Sequence, residues 1–427
     1  MGRSKIFLPG VILLLIVFFI SGNATASPSL NYTLKIYGNA NEDETINDLD
    51  ISYVNDVIAG IKPNTTFSDA NNDGKINQAD VTQIQKIIDG TESQIIIKDS
   101  NDRVISLPYP IQKIVCLWAT IAEPIQAIGA GDKIVAIDDE TAKRTALLPD
   151  ISKKESVGKR ADPDIEKLVS LKPDFVISLG MKDEVIKKIE GAGIPVVISS
   201  YGTNDKLDTG FSSGMQETKQ LGYLLGADKK ADELINWYRG YLSTVQDKVS
   251  GLSDSDRPTV LYLYDHSNGK IQSSGGATYV VHMIDFAGAD DITSTNPGNW
   301  IELDPEFPLK ENPEYILFED AMTRDELIGP GITDTSKIQT TLDGIKEING
   351  FDIIDAVKNN KVYAMPWGLI SCNSWLGTLY LAKLFHPEEF SDMNVPSIHQ
   401  EYLEKYLKLK PEVFQDSTFI YPKPDGF

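Results

Sequence analysis

Residues 157–179 read VGKRADPDIEKLVSLKPDFVISL, and this stretch sets the grammar of the chain. Pro163 suits the first turn of a helix, where its missing N–H costs nothing, and Asp164 and Glu166 complement the positive end of a helix dipole. A helix is therefore expected to start near Asp162 or Pro163. Ile165, Leu168, Val169 and Leu171 form its apolar stripe, Lys172-Pro173 stops it, and residues 174–178 read as a buried strand. Working outward, a helix over 182–192 and a strand over 195–199 follow. Upstream, a strand over 113–116, a helix over 122–130 and a strand over 133–137 repeat the pattern. Strands alternating with short helices predict a mainly parallel α/β sheet, with ligand loops at the carboxyl ends of the strands.

The chain of 427 residues is long enough for two or three domains. Its formal net charge of −22 argues against a nucleic-acid partner, because phosphate binding needs clustered Lys and Arg. A solvated acidic surface is the simpler reading. Arg3 and Lys5 precede an apolar run over 11–20, and Ala24-Thr25-Ala26 offers small residues for cleavage, so residues 1–26 are expected to be a secretory signal peptide or an uncleaved anchor. No cysteine lies near that cleavage site, which excludes lipid attachment of the bacterial lipoprotein kind. Cys116 and Cys372 are the two cysteines, expected as buried thiols rather than a disulfide.

Residues 39–60, NANEDETINDLDISYVNDVIAG, and 69–90, DANNDGKINQADVTQIQKIIDG, align without a gap. Each supplies oxygen-bearing side chains at loop positions 1, 3, 5, 9 and 12: Asn39, Asn41, Asp43, Asn47 and Asp50, then Asp69, Asn71, Asp73, Asn77 and Asp80. The backbone carbonyls of Thr45 and Lys75 add position 7. Calcium takes six to eight hard oxygen ligands, and this staggered spacing can wrap them around one ion. Ile46 and Ile76 are expected to pin the loops side by side, each leading into an apolar-striped helix, over 51–59 and 81–89. The duplicated register resembles a dockerin domain over residues 34–91. That resemblance implies a small all-α, calcium-binding module and a cohesin-like or envelope partner. Asn39 replaces the usual first Asp and Glu44 stands where Gly makes the turn, so loop one is expected to bind more weakly. The docking positions, Asp48-Leu49 and Gln78-Ala79, differ between repeats, which favours calcium over any particular cohesin.

After Gln94 the chain reads IIIKDSNDRVISLPYPIQKIVCLWATIAEPIQAIGAGDKIVAID, then the stretch quoted first, RPTVLYLYDH, WIELDPEFPLKENPEYILF and KNNKVYAMPWG. In their order and spacing these segments resemble the periplasmic substrate-binding proteins of ABC importers for iron-siderophores and cobalamin. The resemblance implies a two-lobed α/β fold with one long connecting helix: lobes over 94–226 and 257–427, and a helix over 227–250. The last has independent support, because Leu234, Tyr238, Tyr241, Leu242, Val245 and Val249 form a helical stripe. It also implies that Glu166 and Glu306, one per lobe, contact arginines of the membrane permease.

Arg160 matches the position of a ligand-contacting arginine in a hydroxamate-binding relative. A planar guanidinium fork suits carboxylate, hydroxamate or other oxyanions. Trp118, Tyr201, Trp300 and Trp367 follow or flank strand ends and could line a cleft for a large flat ligand, whereas Trp237 on the connecting helix reads as core. His266, after the first strand of the second lobe, could reach a chelate; His282, His386 and His399 form no ligand cluster and read as surface or packing residues.

The glycosidase alternative is weak. Glu302, Asp304 and Glu306 crowd one segment, whereas glycoside hydrolysis needs two carboxylates on opposite sides of a sugar. No GxSxG elbow, HExxH, Walker loop or strand-borne GxGxxG occurs. The expectation is an exported, monomeric, non-enzymatic receptor that captures a metal chelate and delivers it to an ABC permease. Ferric siderophore leads, ahead of cobalamin, haem and molybdate or tungstate; a dockerin-tethered extracellular enzyme and a cell-surface scaffold are the rivals of another class.

Overall fold

The computed structural model describes residues 30–200, 210–266, 270–320 and 326–427. The signal segment and Tyr201 lie outside the described residues. No helix among the described residues is long and apolar enough to cross a membrane.

Two loop–helix units come first, α1 (Asp48–Ile58) and α2 (Gln78–Ile88). Both helices begin three residues earlier than their apolar stripes suggest. Asn47 and Asn77 are the reason: each accepts a hydrogen bond at the helix start and forms a capping box with Asp50 or Asp80. Ala40, Val54, Ala70 and Ile84 make a small core between them, flanked by Ile46 and Ile76.

A hairpin follows, β1 (Gln94–Lys98) with β2 (Val104–Pro108). The first lobe is a five-stranded sheet of β3 (Ile114–Leu117), β4 (Ile134–Ile137), β5 (Glu155–Ser156), β8 (Phe175–Leu179) and β9 (Val196–Ser199), after the short ribbon β6 (Gly158–Lys159) and β7 (Asp162–Pro163). Its order is β5-β4-β3-β8-β9, parallel throughout. All four residues of β3 and all five of β8 are buried, as expected for strands covered on both faces. Helix α3 (Ala119–Ala127) starts directly after β3 rather than at 122, and α4 (Ile165–Leu171) starts two residues later than the proline suggests. In α4 the Asp164 carboxylate accepts from the Lys167 N–H at 3.1 Å, so the cap falls on Asp164 and Pro163 is left in β7. Helix α5 (Asp183–Gly191) covers one face of the sheet.

Helix α6 (Gly210–Leu224) leads to α7 (Asp228–Val249), 22 residues long, or about 33 Å. Trp237 of α7 packs into a half-buried aromatic cluster, 5.4 Å from Trp375 and 4.9 Å from Tyr406. The connector is thereby fastened along its side to the second lobe.

The second lobe carries a parallel sheet ordered β12-β10-β14-β15, from β10 (Thr259–Leu263), β12 (Asp290–Asp291), β14 (Tyr315–Asp320) and β15 (Val362–Pro366). An antiparallel pair, β11 (Ile271–Ser274) and β13 (Trp300–Leu303), flanks it. Helix α8 (Tyr279–Phe286), α9 (Glu306–Glu311), α10 (Ser336–Lys346) and α12 (Ser374–Phe385, after α11, Asp355–Lys358) complete the layers.

One hydrophobic cluster runs through both lobes and also takes in Leu30, Leu34 and Ile36. The extended segment leading into the loop–helix units is thus part of the main body's core. Cys116 is a buried free thiol within it.

Candidate functional site

The carboxyl ends of the strands in the two lobes enclose a cavity of about 290 Å3. The first lobe supplies the start of α3, including Thr120 and Glu123, and the loop bearing Arg144; the second supplies Glu326, Pro330 to Ile332, and Trp367 after β15. Arg144 and Glu326 form an ion pair across the cleft.

The geometry explains how Arg160 is held. The β6–β7 ribbon lifts it beside the end of β8, where its Nη1 donates to the carbonyls of Leu179 and Gly180, the latter at 3.1 Å. Its guanidinium lies 4.3 Å from the Trp118 ring, a cation–π stack that sets the plane of the fork. Trp118 in turn meets Trp367 of the other lobe edge-to-face at 6.3 Å. Burial lowers the Arg160 pKa, opposed by the nearby Asp138 carboxylate. Two buried polar atoms next to this stack, Trp118 Nε1 and Asp138 Oδ2, have no protein hydrogen-bond partner. An unpaired buried polar atom costs about 1–3 kcal/mol, so a ligand or water that pairs them gains that energy.

Trp118, Arg160 and Trp367 therefore form one chain of contacts, in which Trp367 lines the cavity and Trp118 and Arg160 lie beside it without lining it. Trp300 does not line the cavity; it is 45% exposed and packs with Tyr264 at 4.9 Å and Tyr279 at 6.5 Å. His266 packs tilted against Phe318 at 5.8 Å and faces Gly344 of α10, outside the cavity lining. His386 and His399 are both buried, and His399, expected as a surface or packing residue, also lines the cavity beside Leu403 and Phe419. The first shares a hydrogen bond with the Gly288 carbonyl at 2.9 Å, and burial pushes the second down to about 3.

Most of the lining escaped the sequence reading, including four charged residues, Arg144, Glu326, Glu123 and Lys143. Arg144 and Glu326 sit in loops that follow β4 and β14, so the strand-end rule could have flagged them, but only the fold brings them together. Glu123 is buried at the lobe junction, with Asn373 Nδ2 at 2.6 Å and the Tyr402 hydroxyl at 3.0 Å donating to Oε1. Burial raises its pKa, against those bonds and the Arg144 charge.

Glu166 and Glu306 are both exposed and occupy matched positions. Each lies in the first turn of a short helix, α4 or α9, that precedes a central strand, β8 or β14. Both helices end on a left-handed residue before a proline, Lys172 at φ 49° and Asn312 at φ 47°. The two lobes thus present one acidic side chain each from the same structural device.

The loops before α1 and α2 differ more than their sequences suggest. In loop two, Asp69 Oδ1 and Oδ2 accept from the N–H groups of Asp73 and Gly74 at 3.1 and 2.8 Å, and Gly74 takes the left-handed φ of 83°. In loop one Glu44 avoids that conformation and pairs with Arg239 of α7 at 2.9 Å. Asn39 Nδ2 donates to the carbonyls of Leu34 and Asp43, at 2.8 and 2.7 Å, leaving its buried Oδ1 without a partner. Burial, reinforced by Asp43, raises Asp50 to about 6. Clustered hard oxygens and an orphaned amide oxygen fit an oxygen-loving cation. Among the described residues no three His, Cys, Asp or Glu side chains converge as metal ligands, so amide and backbone oxygens would have to complete any shell.

Residues 114–367 match the family model described as periplasmic binding protein. The chain is 27% identical over 288 residues to the uncharacterized ABC transporter substrate-binding lipoprotein YvrC of Bacillus subtilis, covering 66% of this chain and 82% of the relative. It is 24% identical to the molybdate-binding protein MolA of Haemophilus influenzae, covering 72% and 89%. Among solved structures, molybdate-bound MolA superimposes with a TM-score of 0.60 at 21% identity, covering 74% of this chain and 98% of that one. The TroA-like periplasmic binding protein FepB of Veillonella parvula gives 0.60 at 25%, covering 74% and 97%. The family model leaves the loop–helix repeat unassigned, and over residues 114–367, with the relatives, it shows that this chain belongs to the periplasmic binding protein family, as a two-lobed substrate-binding protein of the ABC-importer type.

Proposed function

We propose that the protein works outside the cytoplasmic membrane, capturing an anionic metal chelate, a ferric siderophore first, and delivering it to a membrane permease. The observation that carries this reading is the Arg160–Trp118 stack meeting Trp367 from the other lobe, with two unpaired buried polar atoms beside it. It joins a charged fork to flat apolar surfaces, as an anionic chelate needs. Glu166 and Glu306 are the proposed permease contacts. A second reading, a small oxyanion such as molybdate or tungstate, draws support from the 290 Å3 cavity, which is modest for a bulky chelate, and from the likeness to MolA.

Tryptophan fluorescence of the full chain, titrated with ferric siderophores, cobalamin, haem and molybdate, tests the proposal. Saturable binding of one ligand supports it and selects the class; silence toward all, with calorimetry agreeing, returns weight to an enzyme or scaffold. Arg160→Ala is expected to weaken an anionic ligand about tenfold or more, the worth of a charge-assisted hydrogen bond. Unchanged affinity removes Arg160 from the site.

We further propose that the duplicated loops bind calcium: Asp69, Asn71, Asp73, Asn77, Asp80 and the Lys75 carbonyl in one, Asn39, Asn41, Asp43, Asn47, Asp50 and the Thr45 carbonyl in the other. The ion would neutralise clustered carboxylates and tie the loops to the body near the envelope. Chelation with EDTA should lower the thermal midpoint by about 5 °C, with recovery on adding calcium but not magnesium. A midpoint indifferent to both treatments counts against the site. A cohesin-like or envelope partner for this module is a separate proposal, testable by pull-down with a cohesin.

A further inference from the structure

The ion pair between Arg144 and Glu326 has an unusual place. Its partners come from opposite lobes, 182 positions apart in sequence, and both line the cavity. Their side chains are 15% and 31% exposed. A guanidinium this far removed from water needs a counter-charge, and among the described residues lining the cavity two carboxylates, Glu123 and Glu326, interact with it. Glu123 is a poor counter-ion, since burial favours its neutral form and its Oε1 is already taken by Asn373 and Tyr402. Glu326, on a loop of the second lobe and partly open to solvent, is the group that serves.

We propose that Glu326 is an internal stand-in for the anionic group of the ligand: its carboxylate holds Arg144 in the empty cleft and gives way when an anionic oxygen of the ligand takes its place. This rests on the receptor reading above and deepens it by naming a specificity device. An arriving carboxylate, hydroxamate, catecholate or metal oxyanion can satisfy the Arg144 fork as Glu326 does. A neutral ligand cannot, and gains nothing by breaking the pair. The competition lowers the apparent affinity for every anion by the fraction of molecules in which Arg144 is already occupied. Weak anions abundant outside the cell are thereby rejected, and only a ligand with further contacts, to Arg160 or the tryptophans, repays the displacement.

A different role is open to the same pair: a latch that keeps the lobes together. The two roles predict opposite results. Calorimetric titration of the full chain and of Glu326→Gln, using molybdate, a ferric tris-catecholate and neutral cyanocobalamin as probes, separates them. A stand-in predicts that Glu326→Gln binds the anionic probe about tenfold more tightly and leaves any affinity for cyanocobalamin unchanged. The gain should vanish in the Arg144→Gln, Glu326→Gln double variant. Glu326→Asp keeps the charge but draws it back from Arg144, and should show a smaller gain in the same direction, which maintains the test if the amide disturbs folding. Equal or weaker anion binding by both single variants overturns the proposal and leaves a latch. If neither wild type nor variant binds any probe, the receptor reading itself fails and takes this inference with it.

Discussion

Removing residues 30–91 is expected to cripple the two-lobed body rather than release it intact. The reason is the segment that leads into the repeat. Leu34 and Ile36 are fully buried and belong to the same cluster as Ile95, Ile97 and Leu107 of the β1–β2 hairpin. Ile36 bridges Ile97, the Tyr37 N–H donates to the Ile96 carbonyl at 2.9 Å, and the Lys98 N–H donates to the Lys35 carbonyl at 3.0 Å. Gln220 of α6 also donates to the Lys35 carbonyl at 3.0 Å, and Glu44 reaches Arg239 of α7. Loss of a single buried Leu or Ile side chain costs about 2–5 kcal/mol, against a total domain stability of about 5–15 kcal/mol. The deletion removes three side chains of that cluster, Leu30, Leu34 and Ile36, and the cover they give to the β1–β2 hairpin. Calorimetry comparing 30–427 with 92–427 should show a drop in melting temperature of about 10 °C or more, or aggregation of the shorter chain. Leu34→Ala in the full chain should lose part of that. Equal melting temperatures would show the repeat to be an independent appendage.

The second large effect concerns transport. The combined Glu166→Ala, Glu306→Ala variant should retain ligand affinity while uptake falls at least about tenfold. Both carboxylates are exposed, far from needing to hold the fold, and each lies at the start of a short helix whose dipole it complements only weakly. A salt bridge to a permease arginine is worth about 1.5 kcal/mol or more where it is sheltered from solvent. Because two contacts on one rigid body act together, each single variant should show a partial loss and the pair more than either. Uptake of labelled ligand in cells carrying the permease, paired with calorimetric affinity of the purified variant, checks both halves. Normal uptake by the double variant defeats the docking assignment; lost affinity relocates the two residues to the fold or the cleft.

Much of the architecture could be read from local pattern. The strand at 175–179, the helices around it and the long connector follow from apolar periodicity and from proline and capping residues, which act over a few positions. The misplacements are instructive. Helix α4 begins at Ile165 because the Asp164 side chain caps it, and α3 begins at Ala119 because the chain turns straight off β3. Both are choices between neighbouring residues of similar suitability, decided by how the loop leaves the sheet. Trp118 and Trp367 were visible as strand-end residues and Arg160 through its matched position in a relative, whereas Trp300 and His266 obeyed the strand-end rule and went elsewhere. Strand-end position says that a side chain is near a mouth, not which way it faces.

The sequence alone determined the alternating parallel α/β order, the long connecting helix and the duplicated loop register, because these rest on local periodicity and repeat spacing; the pairing of Glu166 with Glu306 came from the resemblance to the substrate-binding family. Tertiary structure alone decided that Leu34 and Ile36 complete the main core, that Arg144 faces Glu326, and that Glu123 is sealed between the lobes by Asn373 and Tyr402. Those partners are 61 to 279 positions apart at the extremes, from Ile36–Ile97 to Glu123–Tyr402. No periodicity links residues so distant; only burial of a shared apolar core fixes which side chains meet across a cleft.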